Sequence, residues 1–226
     1  MFYLFLLAHL VADFILQPYW IVQRKRRFDG LALHCGIVLA CMALLPLLDP
    51  DARTLWPTML IITAIHFVAD WWKVNHGQTI PGPPIVPFML DQVIHVVTLI
   101  TVLSLSVAPD QLWEIAGSPS AHMAIVAAVY VVAAFATPIA VMVWLDPRFD
   151  YLALAGKARL RCLVAGFGVV SLMLVSGVLA LPAALVGLTV ATRKPFSRHP
   201  LDAPTGMLTV IIVAASLGAI LLILPR

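Results

Sequence analysis

Histidine and aspartate residues recur at helical spacing in the first half of the chain. Three pairs are four residues apart, namely His9 and Asp13, His66 and Asp70, and Asp91 and His95. At that spacing two side chains lie on the same face of a helix. Each pair falls in a strongly apolar segment, where an ionisable side chain is costly and marks function by default. The pattern therefore predicts that several helices present imidazoles and carboxylates to one buried polar site.

The chemistry that this residue set favours is metal binding. Imidazole nitrogen and carboxylate oxygen together suit zinc, iron or manganese, and helical bundles build such centres from residues at this spacing. We therefore expect a divalent metal ion as the cofactor. The predicted ligands are His9, Asp13, His34, His66, Asp70, Asp91 and His95.

A metal ion with an open coordination position activates water, which predicts hydrolysis of a lipid ester or a phosphoester. The candidate catalytic residues are three carboxylates and one lysine, Asp13, Asp70, Asp91 and Lys73. Lys73 follows Asp70 by three residues on the same predicted helix face. We therefore expect its ammonium group to hold an anionic group of the substrate.

Three other interpretations stay open at the level of the sequence. Histidine, lysine and aspartate side chains can pair between helices purely as structural glue. Chains of aspartate and histidine inside membrane helices also form the proton or ion relays of small transporters. The third alternative is an accessory structural subunit of a larger membrane complex. A transporter needs a water path from both sides of the membrane, whereas a hydrolase needs access from one side only.

The elements that must position these residues are membrane helices. Apolar residues make up 62% of the chain and charged residues 11%, and the mean hydropathy is +1.01. A bilayer core requires about 20 mostly apolar residues per helical crossing. Such runs lie near 1–22, 31–48, 55–74, 86–108, 122–145, 160–179 and 206–224, with a shorter run at 181–192. The predicted fold class is all-α, a polytopic transmembrane bundle of about eight helices, or seven if 160–192 is one helix rather than a hairpin.

Basic residues collect in alternate loops, which predicts the orientation of the helices. Arg24 to Arg27 form the densest group, and a bacterial inner-membrane location places these loops in the cytoplasm. The run 1–22 lacks a basic leading segment, so it is expected to be a retained first helix rather than a signal peptide. Membrane lipids and other membrane subunits are the expected partners. A net charge of +3 spread over loops gives no indication of nucleic acid binding.

A short internal repeat relates the two halves of the polar region. The segment 8–14 reappears at 65–71, an offset of 57 residues, and the same offset relates His34 to Asp91. This pattern predicts a tandem repeat of two helices within the first four. The predicted domains are 1–110, a four-helix His/Asp membrane domain, and 111–226, a scaffold or docking region. The three cysteines, Cys35, Cys41 and Cys162, have no metal-finger spacing and are expected to pack between helices.

The polar motifs resemble those of an uncharacterised family of bacterial multi-pass membrane proteins, described as a domain of unknown function. The resemblance covers about residues 1–110 and rests on the HxxxDFxxQ motif from His9, the HxxxDxxK motif from His66 and the DQxxH motif from Asp91. A weaker similarity is to membrane-bound metal-dependent hydrolases. In the second helix, Cys35 follows His34 where the family pattern has a second histidine. The resemblance implies a multi-pass membrane fold, and it implies no established activity.

Overall fold

The structure is a computed structural model that describes residues 1–115, 118–145, 156–177 and 199–224. Within these residues the chain is helical and contains no strand. Six of the helices are long and apolar enough to cross a bilayer. They lie at Phe28–Leu47, Pro50–His76, Ile85–Ser104, Pro119–Leu145, Ala158–Ser176 and Pro204–Ile223. The prediction of a polytopic all-α bundle is therefore confirmed.

The first helix differs from the predicted crossing at 1–22. Helix α1 runs over Phe2–Leu10 and continues as a π-helical segment over Val11–Ile15. This helix is about 21 Å long at about 1.5 Å per residue, which is shorter than a bilayer core of about 30 Å. Pro18 causes the break, because proline lacks an N–H donor and disfavours the α-conformation in the residue before it. The chain resumes in the short helix α2, Tyr19–Arg24.

Four antiparallel helices then enclose the polar region. Helices α3, α4 and α5 span Phe28–Ala43, Trp56–His76 and Ile85–Ser104. Helix α3 packs on α4, α4 packs on α5, and α1 packs on both α3 and α5. Short 3-10 turns at Leu45–Leu47, Pro50–Leu55 and Gly77–Thr79 connect or extend these helices, and a short helix α6 follows at Pro109–Trp113.

The bundle of α1, α3, α4 and α5 has two different halves. One half is an apolar core that includes Phe5, Val38, Met42, Leu99 and Leu103, all of them buried. The other half contains the histidines and aspartates. It lies near the end of the bundle where the connections 16–27, which include α2, and 77–84 are found. Because the exposed arginines of the first loop lie at this end, we call it the basic end.

The chain divides into two compact units after Ala128. The second unit, Val129–Pro225, contains the end of helix α7 (Pro119–Val131), a π-helical segment at Val132–Ala136, and helices α8 (Thr137–Leu145), α9 (Lys157–Ser176) and α10 (Pro204–Ile223). Helix α9 packs closely on α10. A methyl group on Gly218 would approach the Met173 side chain within 2.8 Å, which shows how tightly these two helices meet.

Two predictions about the second half remain predictions. The domain boundary predicted at 110/111 lies upstream of the division after Ala128. Helix α9 ends at Ser176, and Gly177 follows it with a φ of 60°. The apolar run 181–192 lies outside the described residues, so the choice between seven and eight crossings rests on the sequence.

Candidate metal centre

The structure brings the seven predicted ligands together in one buried cluster. They fall into three overlapping groups. Within each group, one potential ligand atom from each residue lies within 4.8 Å of the others. The groups are His9, Asp13 and His66, then His34, His66 and Asp70, then Asp70, Asp91 and His95. All seven side chains are buried within the first unit. The i to i+4 pairs on α1, α4 and α5 therefore do face a common interior, and His34 of α3 completes the ring.

Two imidazoles form the centre of this cluster. The Nε2 atoms of His34 and His66 are 3.1 Å apart. The Asp13 Oδ1 atom lies 3.3 Å from His34 Nε2 and 3.8 Å from His66 Nε2. Asp70 Oδ2 lies 3.4 Å and 3.6 Å from the same two nitrogens. The two histidine nitrogens thus form a triangle with one oxygen of each carboxylate.

The size of these triangles matches a metal coordination shell. Two ligand atoms that are each about 2.1 Å from a tetrahedral ion lie about 3.4 Å from each other. The five distances, from 3.1 to 3.8 Å, are within about 0.4 Å of that value. Asp13 Oδ1 is also buried, and His34 Nε2, 3.3 Å away, is not aligned for a regular hydrogen bond with it. A buried carboxylate oxygen without a well-aligned donor is costly, and a cation between these atoms would remove that cost.

A local irregularity of α1 positions Asp13. In the π-helical segment the Leu16 amide donates to the Val11 carbonyl oxygen, 2.9 Å away, five residues back. π-helical turns often occur at functional sites, because the extra residue turns a side chain away from the regular helix face. The Gln17 amide nitrogen, in the orientation that satisfies both of its ends, donates to the Asp13 carbonyl oxygen at 2.9 Å. The break before Pro18 and this bend therefore fix the position of Asp13.

His95 is oriented by the main chain of its own helix. Its Nδ1 atom lies 2.7 Å from the carbonyl oxygen of Asp91. Because a carbonyl oxygen can only accept, Nδ1 carries the proton, and the Nε2 atom of the neutral ring has a free lone pair. That Nε2 atom and His9 Nε2 are both buried without a hydrogen-bond partner in the described part of the chain. Metal-binding histidines are oriented in this way, with the second ring nitrogen donating to a carbonyl.

A small cavity adjoins the imidazoles on the side of the apolar core. It has a volume of about 10 Å³ and is lined by His9, His66 and His95 together with Thr98 and apolar side chains. This volume is roughly that required for one water molecule. The rings of His9 and His95 stack beside it with their centroids 5.0 Å apart.

Two lysines neutralise two of the three carboxylates. Lys73 Nζ lies 2.6 Å from Asp91 Oδ2, and Gln92 Nε2 donates to the same oxygen at 3.0 Å. Lys25 Nζ lies 2.6 Å from Asp70 Oδ2. Lys25 was not among the predicted site residues, because it belongs to the basic run 24–27, whose expected role was orientation. Its only distinguishing feature in the sequence is that it is the lysine in a run of arginines.

The charges of the cluster do not balance through these ion pairs alone. With neutral imidazoles, three carboxylates face two ammonium groups, and within the described part of the chain Asp13 forms ion-pair contacts only with histidines. One negative charge therefore remains in a buried site. A proton on the His34–His66 pair or a cation between these rings would neutralise it. Interhelical ion pairing explains Asp70 and Asp91, and it leaves Asp13 unexplained.

The fold and this cluster place the chain among polytopic helical membrane proteins with a buried His/Asp site near one end of the bundle. Within that class, the chain belongs to the family described as "Protein of unknown function (DUF3307)", whose sequence profile matches residues 1–124. The match contains all seven residues of the cluster and both lysines. No curated protein and no solved structure matches the chain. The family resemblance expected from the polar motifs is therefore confirmed.

Proposed function

We propose that this protein binds one divalent transition-metal ion inside the membrane. The observation that supports the proposal most directly is the set of ligand-sized distances around the His34 and His66 Nε2 atoms. We assign these two nitrogens and Asp13 Oδ1 as the primary ligands and Asp70 Oδ2 as a fourth, and hydrolysis then requires a fifth position for water, to which zinc sites can expand. Two imidazoles and carboxylate oxygen suit zinc, iron or manganese.

The surrounding residues support the same assignment. Asp13 Oδ1 has no well-aligned hydrogen-bond donor in the described residues, and with neutral imidazoles the cluster has one uncompensated negative charge. Lys25 and Lys73 give Asp70 and Asp91 counter-ions without a bound metal ion. A purely structural cluster would be expected to neutralise the third carboxylate in the same way. His9 and His95 extend the site on the side of the cavity.

We further propose that the centre is hydrolytic and acts on an anionic ester, such as a lipid ester or a phosphoester. A bound divalent ion supplies Lewis acidity and lowers the pKa of a bound water molecule. Lys73 is the most accessible charged group of the cluster, with 34% of its side chain exposed, and it lies at the basic end. This position suits a residue that receives an anionic substrate group, and Asp70 and Asp91 lie close enough to accept a proton.

The packing of the bundle supports hydrolysis over transport. Beyond the cavity, the other half of the first unit is filled by the apolar core, in which Phe5, Val38 and Leu103 have almost no exposed surface. A transporter requires access to the site from both sides, and in the described residues the polar groups cluster toward the basic end. We assign the basic end to the cytoplasmic face of a bacterial inner membrane, on the positive-inside rule.

Metal content tests the first part of the proposal. The full chain is purified without chelator in detergent, and zinc, iron and manganese are quantified per chain by elemental analysis. We expect about one ion per chain, lost in His66→Gln and retained in His76→Gln. His76 lies on the same helix and is exposed, so it is a matched control. Substoichiometric metal in the unmodified protein, unchanged in His66→Gln, would exclude the metal centre.

Turnover tests the second part. The metal-loaded protein in nanodiscs is incubated with a panel of lipid esters and phosphoesters, and product release is followed by mass spectrometry. We expect activity that is abolished by a chelator and by Asp70→Asn, while metal content is measured in parallel. Hydrolysis that persists after the metal is removed would separate the activity from this site.

A further inference from the structure

Lys25 differs from the other basic residues of its loop. Arg24, Arg26 and Arg27 are exposed, whereas the Lys25 side chain has only 9% of its surface exposed. Its ammonium group donates to Asp70 Oδ2 at 2.6 Å and, in the satisfied orientation of the Gln17 amide, to the Gln17 side-chain oxygen at 2.6 Å. It therefore reaches from the loop into the polar cluster, where it acts as a counter-ion.

The oxygen that Lys25 contacts is also a candidate metal ligand. Asp70 Oδ2 lies 3.4 Å from His34 Nε2 and 3.6 Å from His66 Nε2, so it faces the position that an ion between these nitrogens would occupy. An ion held there and the Lys25 ammonium group would share one oxygen atom. Two cations at such short range in a buried site repel each other strongly. The ion and the ammonium group therefore compete for Asp70.

We infer that Lys25 is an exchangeable counter-ion, which neutralises Asp70 in the metal-free protein and is released by the metal to bind an anionic phosphate group. This inference rests on the proposed metal centre and adds the chemical class of its ligand. The change of charge supports it. Without a metal ion and with neutral imidazoles, the cluster has one excess negative charge and repels anions. With a divalent ion the excess becomes positive.

The residues around the released ammonium group suit a phosphate group. A buried ammonium group that loses its carboxylate requires a new anionic partner. Lysine binds phosphate as a point charge, and Lys73 provides a second ammonium group in the same cluster. The Gln92 side-chain amide, 3.0 Å from Asp91 Oδ2, adds a neutral donor. The phosphate group can belong to a lipid headgroup or to a free phosphate, because Lys73, with 34% of its side chain exposed, is accessible to either.

The test measures two affinities that should change in opposite directions. Mn²⁺ binding to the full chain in a phosphate-free detergent is titrated by electron paramagnetic resonance, since free and bound Mn²⁺ give different signals. Binding of inorganic phosphate to the Mn²⁺-loaded protein is followed by ³¹P relaxation, which a nearby Mn²⁺ ion accelerates. In Lys25→Gln we expect Mn²⁺ to bind at least tenfold more tightly and phosphate at least tenfold more weakly.

Two further variants keep the result interpretable. Lys25→Arg retains the charge, so Mn²⁺ affinity should stay within about threefold of the unmodified value. Arg26→Gln removes an exposed charge from the same loop, and both affinities should remain unchanged. Thermal unfolding of each variant identifies any loss of fold. Should Lys25→Gln fail to fold, the Lys25→Met variant, which keeps the length of the aliphatic chain, is measured in its place.

The possible outcomes separate this inference from the proposed function. Absence of Mn²⁺, zinc and iron binding in the unmodified protein overturns the metal centre itself. Metal binding that is unchanged or weaker in Lys25→Gln shows a fixed structural ion pair and overturns the exchange. Phosphate binding that is equal with and without Mn²⁺, as measured by equilibrium dialysis of radiolabelled inorganic phosphate, also overturns it. A second arm uses nanodiscs with phosphatidic acid, and loss of the inorganic phosphate effect there identifies the lipid headgroup as the source.

Discussion

Asp13→Asn is the most direct test of the coordination that we propose. Asparagine has nearly the same shape as aspartate, so packing around the π-helical segment should be retained. The change removes the negative charge of Oδ1, which lies 3.3 Å from His34 Nε2 and 3.8 Å from His66 Nε2. Among the three carboxylates, Asp13 alone has no lysine partner in the described ion pairs. Metal affinity should therefore depend on Asp13 more than on any other carboxylate.

The size of the effect follows from the charges. Two unit charges about 4 Å apart interact by about 4 kcal/mol at an effective dielectric constant of about 20, and a divalent ion doubles that value. Desolvation of the carboxylate cancels part of the gain. A lower bound comes from outer-shell partners of metal ligands, whose loss alone weakens affinity about 10- to 100-fold. Loss of a direct ligand should therefore weaken the Kd at least about 100-fold, which corresponds to about 2.7 kcal/mol.

The assay is competitive titration of Zn²⁺ or Mn²⁺ against a chelator of known affinity, with thermal unfolding as a check on the fold. Asp51→Asn is the matched control, because Asp51 is exposed at the opposite end of the bundle. Its Kd should equal that of the unmodified protein. An Asp13→Asn protein that folds and binds the ion within about threefold of the normal Kd would refute our assignment of the ligands.

Three other predictions concern packing and pH. Gly30→Ala places a methyl group against the main-chain carbonyl oxygen of Arg24, so it should lower the free energy of unfolding by about 1–3 kcal/mol. Thermal or denaturant unfolding measures this loss. Gly36→Ala is the control, because a methyl group there faces open space and should have little effect. Asp202→Asn removes the charge of a buried carboxylate from the ion pair with the partly exposed Arg161, so it should cost about 1.5–3 kcal/mol of stability while metal content stays unchanged. Lower pH should weaken metal binding, because protons and metal compete for the imidazole nitrogens. Where one proton is displaced per ion bound, the Kd should rise about tenfold for each unit by which the pH falls. Titrations at several pH values check this sign, and an affinity that rises as the pH falls would contradict it.

Sequence periodicity predicted the parts of the site that depend on local geometry. His66 and Asp70 lie four residues apart on a regular helix, so their shared direction follows from the spacing. Composition predicted the membrane helices because apolar runs of this length have few other stable folds. We predicted that the four polar helices converge because an isolated carboxylate in an apolar segment costs free energy and therefore requires a partner. These helices are α1, α3, α4 and α5.

Tertiary structure decided the parts that the sequence did not predict. Lys25 reaches Asp70 because the chain turns after Pro18. Gly30 also contributes, because it has no side chain and lets the end of α2 lie close to α3. Lys25 and Asp70 are 45 residues apart, and helix periodicity does not predict a contact at that separation. The sequence also did not predict the π-helical position of Asp13. An α-helix and a π-helix differ by one residue in their hydrogen-bond register and can have the same composition.

The predicted internal repeat favours one ion in the cluster rather than two. Asp13 and Asp70 are equivalent under the offset of 57 residues, and they lie at nearly equal distances, 3.3 and 3.4 Å, from the single His34 Nε2 atom. The residue equivalent to His34 in the second copy is Asp91, which binds Lys73 instead of presenting an imidazole. A symmetric pair of sites would require a second histidine at that position. The two copies therefore supply one carboxylate each to a shared centre, and a measured stoichiometry of two tightly bound ions per chain would contradict this account of the duplication.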